Sequence, residues 1–141
     1  MSVKQLWLNL PVKDIQRSKK FFNDIGFREN PIHENSKNLA GFLIGNQEFV
    51  LMLFPEEDFK SMVQHDISDT QLGSEILINI DAESKEEVDR LEALVRQAGG
   101  DIYQSAKLSQ SWLYGFGFKD PDGHRWAVLY MDIGKMPSSQ N

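Results

Sequence analysis

Residues 6–26 read LWLNLPVKDIQRSKKFFNDIG, and this stretch contains the signals that decide the fold. Apolar side chains occupy alternate positions at its start, which is typical of a β-strand with one apolar face. These side chains are Leu8, Leu10 and Val12. Asp14 is a favourable N-cap, and apolar residues at helical spacing follow it as far as Gly26, which suits the position after a helix. The stretch therefore predicts a strand followed directly by a helix.

The same order of signals begins again in the second half of the chain, at Glu75. Isoleucines occupy alternate positions there, and Asn79 takes the place in the second strand that Asn9 takes in the first. Ser84 and Glu87 have the spacing of a capping box, and an amphipathic stripe follows them. We therefore predict an internal repeat of a strand and a helix.

Each half also contains a predicted β-hairpin. The strand-like runs cover residues 39–44 and 48–54 in the first half, and residues 112–118 and 125–131 in the second. Residues 45–47, GNQ, separate the first pair, and the sequence DPDG at 120–123 separates the second; both favour tight turns. Each half therefore reads as a strand, a helix and further strands.

These elements predict one domain that spans residues 1–141 and is built from two modules. Module one covers about residues 4–55 and module two about residues 74–133. A charged linker or lid lies between them at about 56–73, and a frayed tail follows at 134–141. A chain of this length can form a hydrophobic core without disulfides.

Composition and charge exclude several classes of protein. The 15 Lys and Arg residues against 21 Asp and Glu residues give a net charge of −6, which repels nucleic acid. The chain has no cysteine, which excludes disulfides and thiolate metal sites. No apolar run reaches the ~18 residues of a membrane span, and charge and proline interrupt the amino terminus before a signal sequence could form. We therefore expect a cytoplasmic protein with no nucleic-acid or membrane partner.

Two segments resemble a known family. The patterns NLPVKDIQRSKKFFNDIGF at 9–27 and FKDPDGHRW at 118–126 are similar to those of the vicinal oxygen chelate (VOC) superfamily. This superfamily includes glyoxalase I, extradiol dioxygenases, and the fosfomycin-resistance and bleomycin-resistance proteins. The resemblance covers nearly the whole chain. It implies an α+β fold, in which two βαβββ modules form an incomplete curved barrel around a cavity, and it implies a homodimer.

The metal enzymes of this superfamily hold one divalent ion with four side chains. Carried over by position, these ligands fall on Trp7, on Leu51 or its neighbour Val50, on Glu75 and on Ala127. Indole and alkyl groups have no lone pair to give to an ion, so only Glu75 has a suitable donor. The resemblance therefore implies a member that lacks the metal-ligand set, and we expect no cofactor.

The leading hypothesis is a metal-independent, small-molecule-binding protein of the bleomycin-resistance type. Its ligand is aromatic or amphipathic, and the acidic composition favours a cation. Six residues are expected to line the cavity: Trp7, Asn9, Leu51, Glu75, Asn79 and Ala127. Trp7 would supply stacking, while the asparagines and Glu75 would orient the ligand. The ordinary alternative is that Trp7 packs against a neighbouring element and that Glu75 is solvated.

The second hypothesis is a metal-dependent VOC enzyme, similar to a lactoylglutathione lyase or an extradiol dioxygenase. Such an enzyme would bind its ion through Glu75 together with Glu48 or His124. Glu75 is also the candidate for a general base, because a carboxylate inside a cavity is desolvated. A third hypothesis is a structural or regulatory dimer with a filled cavity. Aromatic residues alternate with Gly115 and Gly117, and the sequence leaves open which of the two sets faces the cavity.

Overall fold

The computed structural model describes residues 1–137, and the chain divides between Thr70 and Gln71 into two compact units. No helix within residues 1–137 is long and apolar enough to cross a membrane. The first residues of the segment predicted as a frayed tail, 134 and 135, lie in a short 3-10 helix, Ile133–Lys135, and residues 138–141 lie outside the described part of the chain.

The first unit contains a four-stranded mixed sheet and two helices. Its elements are β1 Trp7–Val12, α1 Ile15–Asp24, β2 Arg28–Glu29, β3 Ala40–Ile44, β4 Phe49–Pro55 and α2 Glu56–Val63. The strand order is β1-β4-β3-β2, in which β1 runs parallel to β4 and the other neighbours are antiparallel. The helix α2 occupies part of the segment predicted as a linker, and it contacts β1 and β4.

The second unit repeats this topology. Its elements are β5 Leu77–Asp81, α3 Lys85–Gln97, β6 Asp101–Gln110, β7 Leu113–Lys119 and β8 Arg125–Met131. The strand order is β5-β8-β7-β6, with β5 parallel to β8 and the other neighbours antiparallel. The order βαβββ in both units confirms the internal repeat and the predicted α+β fold class.

The caps predicted for α1 and α3 are present. The Asp14 carboxylate accepts a hydrogen bond from the backbone N–H of Arg17 at 3.1 Å. Ser84 Oγ accepts one from the N–H of Glu87 at 3.1 Å, and Glu87 Oε2 accepts one from the N–H of Glu83 at 3.0 Å. The bonds from Arg17 and Glu87 satisfy donors that the first turn of a helix leaves unpaired, and the bond from Glu83 ties down the residue before the N-cap, so together they fix where each helix begins.

The core of the first unit lies between α1 and the sheet. The Phe22 ring of α1 is fully buried, and its centroid lies 5.6 Å from that of Phe42 on β3. Phe42 pairs with Leu51 of β4, and paired residues share a face of the sheet. Leu51 therefore lies on the α1 side, where burial of apolar side chains holds the helix to the strands.

In the second unit the aromatic residues of β7 face α3. The Tyr114 O–H donates to Asp89 Oδ1 of α3 at 2.6 Å, and Phe118 stacks on Trp126 of β8 with ring centroids 6.0 Å apart. Successive residues of a strand alternate between faces, so Gly117 lies on the opposite side. The orientation that the sequence leaves open is thus defined: the aromatic residues form the core, and the glycines face away from α3.

Two features of the second unit differ from the sequence prediction. The sequence does not predict β6, because its residues DIYQSAKLSQ lack a period of two, and its pairing with β7 shifts register along its length. The strand β5 begins at Leu77 and not at Glu75. Leu77 pairs with Arg125, which is the first residue of β8. Glu75 precedes Leu77, so β8 has no residue with which Glu75 could pair.

Candidate functional site

In the first unit, a row of paired residues crosses the sheet face away from α1. Asn9 of β1 pairs with Met52 of β4, and Met52 pairs with Gly41 of β3. A Cβ added at Gly41 would lie 3.0 Å from Met52 Sδ and 3.1 Å from His33 Cδ2. The glycine therefore leaves room for the His33 ring, which comes from the connection between β2 and β3. We call Asn9, Met52 and Gly41 the first Asn–Gly row.

The second unit contains the equivalent row on the face away from α3. Asn79 of β5 pairs with Ala127 of β8, and Ala127 pairs with Gly117 of β7; these three residues form the second Asn–Gly row. A Cβ at Gly117 would lie only 2.4 Å from Cζ of Tyr103. The Tyr103 ring thus lies directly over the glycine, and its O–H donates to the backbone carbonyl of Trp126 at 3.3 Å.

The two Asn–Gly rows share their geometry and differ in side-chain size. In each row the asparagine is exposed and is the third residue of an edge strand. In each row a ring approaches the glycine two strands away, His33 at Gly41 and Tyr103 at Gly117. The middle residue is a methionine in the first row and an alanine in the second, so the side chain between the asparagine and the glycine is smaller in the second row. An amide near an aromatic surface offers hydrogen bonding and stacking to one ligand.

The predicted ligand-binding residues of the first unit do not all share a face. Trp7 pairs with Val50 and lies on the same face as Asn9, and the residue is 66% exposed. Leu51 lies on the other face and is only 2% exposed, in the core beneath α1. The placement of Leu51 beside Trp7 is therefore corrected. A shift of one residue changes the face of a strand, so Val50 is the neighbour of Trp7.

In the second unit, the structure brings together Asn79 and Ala127 but leaves Glu75 outside the row. Ala127 is 9% exposed, whereas Asn79 is exposed. Glu75 lies in a bend before β5 and is exposed. An exposed carboxylate stays hydrated, so this position does not supply the desolvation on which the general-base hypothesis depends.

The residues present do not fit the metal site of the superfamily. Within residues 1–137, no group of three or more His, Asp or Glu side chains is placed to hold an ion. Trp7, Val50 and Ala127 have neither an oxygen nor an imidazole donor. Glu48, a ligand in the metal-enzyme hypothesis, forms an ion pair with Arg28 at 2.7 Å. The donor chemistry of these positions therefore does not support a Lewis-acid centre.

Asp120 is a buried carboxylate whose role the sequence analysis missed. Its Oδ1 accepts hydrogen bonds from the backbone N–H groups of Asp122 and His124, each at 3.0 Å. Its Oδ2 accepts one from the Trp126 indole at 3.1 Å. Burial raises the pKa of Asp120, while the neighbouring His124 acts in the opposite direction. The DPDG sequence signals this turn, and the turn fixes where β8 begins and hence the register of the second Asn–Gly row.

Comparison with known proteins agrees with this fold. Residues 4–45 match the family model described as bleomycin resistance protein-like N-terminal. The chain is similar to a hypothetical protein from S. aureus, at 31% identity and a TM-score of 0.80, over 92% of this chain and 95% of that chain. It is also similar to a glyoxalase-related enzyme from Fulvimarina pelagi, at 18% identity and a TM-score of 0.76, over 90% of this chain and 88% of that one. The chain belongs to the VOC superfamily.

A further VOC structure is similar to this one. It is a glyoxalase/bleomycin resistance protein/dioxygenase family enzyme from Burkholderia phytofirmans PsJN, with 20% identity and a TM-score of 0.72. The similarity covers 87% of this VOC chain and 94% of that chain. At such identities the likeness concerns the fold. A search among curated proteins gives no match.

Proposed function

We propose that this VOC protein binds a small aromatic or amphipathic molecule and that it does so without a metal or another cofactor. The observation that supports the proposal is the presence of two Asn–Gly rows, each with an exposed amide and a ring beside a glycine. A flat ligand gains stacking and desolvation at the ring, and hydrogen bonds to the amide fix its orientation. The lack of oxygen and imidazole donors on the side chains of Trp7, Val50 and Ala127 supports binding without a metal.

Exposed aromatic surface is available for such a ligand in both units. Trp7 is 66% exposed, and it lies two residues before Asn9 on the same strand face. Tyr103 is 37% exposed above the second Asn–Gly row. Each unit therefore offers an aromatic group on the face that also has the amide.

Sequestration is the mode of action that we propose, as the resemblance to bleomycin-resistance proteins implies. In that mode the protein lowers the free concentration of its ligand and catalyses no step. We place this activity in a cytoplasmic homodimer, which the VOC resemblance and the absence of cysteine favour.

Melting curves in the presence of a chelator test the proposal. The probes are 2-naphthylmethylamine, 2-naphthalenemethanol and 2-naphthoate, which share a flat ring and differ in charge. At a hundred times its dissociation constant, a ligand that binds only the folded state stabilises it by about 2.7 kcal/mol, which shifts the melting temperature by several degrees. We expect at least one probe to do so in EDTA.

Matched variants locate the binding. Trp7→Ala and Asn79→Ala should reduce the shift, whereas Leu72→Ala should preserve it, because Leu72 is 87% exposed and lies outside both Asn–Gly rows. Absence of any shift at saturating concentration would overturn the proposal. A shift that appears only after nickel, zinc, manganese or iron is added would overturn the metal-independent part of it.

A further inference from the structure

The guanidinium of Arg125, in β8, lies over an aromatic ring on the exposed face of the second unit. Its guanidinium carbon lies 4.5 Å from the centroid of the Tyr103 ring, a cation–π contact. The ring is itself fixed above Gly117 and by the hydrogen bond to the Trp126 carbonyl. Little conformational freedom is therefore left to the guanidinium, and its planar set of donors is preorganised.

No carboxylate within residues 1–137 pairs with Arg125. The cation–π contact with Tyr103 is the interaction that the structure gives its side chain. Lys119 lies directly opposite Arg125 in the β7–β8 ladder, and like charges placed opposite each other are destabilising. Asp101 compensates Lys119, with Nζ and Oδ2 3.0 Å apart, and so leaves the charge of Arg125 without an anionic partner.

Apolar and amide groups lie beside this cation. Leu77 of β5 pairs with Arg125 and is 52% exposed, and Asn79 is the next residue of β5 on the same face. A bound molecule could place a charged oxygen pair at the guanidinium and its apolar part over Leu77. The amide of Asn79 would then be within reach of a further polar group.

We propose that Arg125 and Tyr103 form a binding site for the carboxylate of an aromatic or amphipathic acid. This inference rests on the proposed function and names the chemical class of its ligand. Carboxylates accept two parallel hydrogen bonds from a guanidinium, and an arginine held over a fixed ring provides them with little entropic loss. The net charge of −6 favours a cationic ligand. Salt screens charges beyond about 8 Å at physiological ionic strength, however, so the nearby Arg125 decides which ligand charge this site prefers.

The experiment compares affinities for 2-naphthoate and 2-naphthalenemethanol by calorimetry at physiological salt. The wild-type chain should bind the carboxylate at least about tenfold more tightly than the alcohol, as expected for a charge-assisted hydrogen-bonded pair. Arg125→Gln should abolish this difference. Arg125→Lys should restore part of it, because an ammonium keeps the charge but neither stacks nor binds in bidentate fashion.

Arg90→Gln is the matched control, since Arg90 is exposed on α3 and its ion pair is with Glu87, at 3.9 Å. The control should retain the preference for the carboxylate. Equal affinities of the wild-type chain for the two probes would overturn the inference and leave the proposed function standing. This comparison uses the wild-type chain alone, so it does not depend on the folding of a variant. Unchanged carboxylate binding by a folded Arg125→Gln chain would also overturn it. Failure of every naphthalene probe to bind would overturn both.

Discussion

The indole N–H of Trp126 points at the buried carboxylate of Asp120, and their 3.1 Å hydrogen bond ties the turn before β8 to the core of the second unit. Trp126 is also stacked on Phe118, so the turn and the aromatic core share one residue. The start of β8, which positions Arg125 and Ala127, therefore depends on a polar contact inside an apolar environment.

Replacing Asp120 by asparagine tests this dependence. An amide oxygen can still accept from the backbone, but the Asn Nδ2 donor would then face the donor of Trp126 and leave a buried group unsatisfied. We expect Asp120→Asn to lower the free energy of unfolding by about 1–3 kcal/mol in urea titrations. Asp81→Asn, at an exposed position of β5, should change it by less than about 0.5 kcal/mol. Equal effects would show that Asp120 is not the anchor of the turn.

The same carboxylate predicts a pH dependence of stability. Burial raises the pKa of Asp120 in the folded chain above the unfolded value of about 3.9. The folded state therefore holds this proton more tightly, and the resulting stabilisation is complete below about pH 3.9 and is lost as the pH rises through the folded pKa. The stability of the wild type relative to Asp120→Asn should decline over that window. Urea titrations at a series of pH values measure it, and a relative stability that increases with pH would contradict the prediction.

Gly117 should be intolerant of any side chain while Tyr103 is present. The Cβ of Gly117→Ala would lie 2.4 Å from the Tyr103 ring, so we expect a loss of about 1–3 kcal/mol in the free energy of unfolding. Tyr103→Ala should remove most of this penalty in the double variant, as a double-mutant cycle would reveal. Gly73→Ala is the control, because its Cβ meets nothing within 4 Å. Purely additive effects would argue against the contact.

The strand faces of β4 can be tested by placing a charge on each. Leu51→Glu should reduce the free energy of unfolding by about 3 kcal/mol or more, because Leu51 is 2% exposed in the core beneath α1. Val50→Glu, on the other face beside Trp7, should cost about 1 kcal/mol. The comparison is made by urea unfolding. If the Val50 variant is the less stable of the two, the assignment of faces is wrong.

Sequence patterning predicts the helices and most strands because their signals are local. Asp14 and Ser84 mark helix starts with side-chain caps, and Asn9 and Asn79 occupy equivalent positions in equivalent strands. The turn at residues 120–123 is likewise visible in the sequence. Each of these features is decided by residues within a few positions of one another.

The candidate site is harder to predict because it depends on cross-strand register. The family resemblance leaves Leu51 and its neighbour Val50 open as the residue beside Trp7, and the parallel pairing puts Val50 there. Tyr103 lies in the irregular strand β6, whose register shifts hide its period, so its contact with Gly117 and Arg125 has no local signal. Such contacts join residues that are distant in sequence, and only the folded sheet defines them.

The ring over Gly117 also constrains the order in which this chain can change. Every substitution of a glycine adds at least a Cβ, and here that atom meets Tyr103 at 2.4 Å. Replacement of Tyr103 by a smaller residue would make room for a side chain at position 117 of β7. The same replacement would remove the cation–π contact of Arg125. Related chains with a side chain at this position of β7 should therefore lack the aromatic residue of β6, and they should differ in the ligands that they accept.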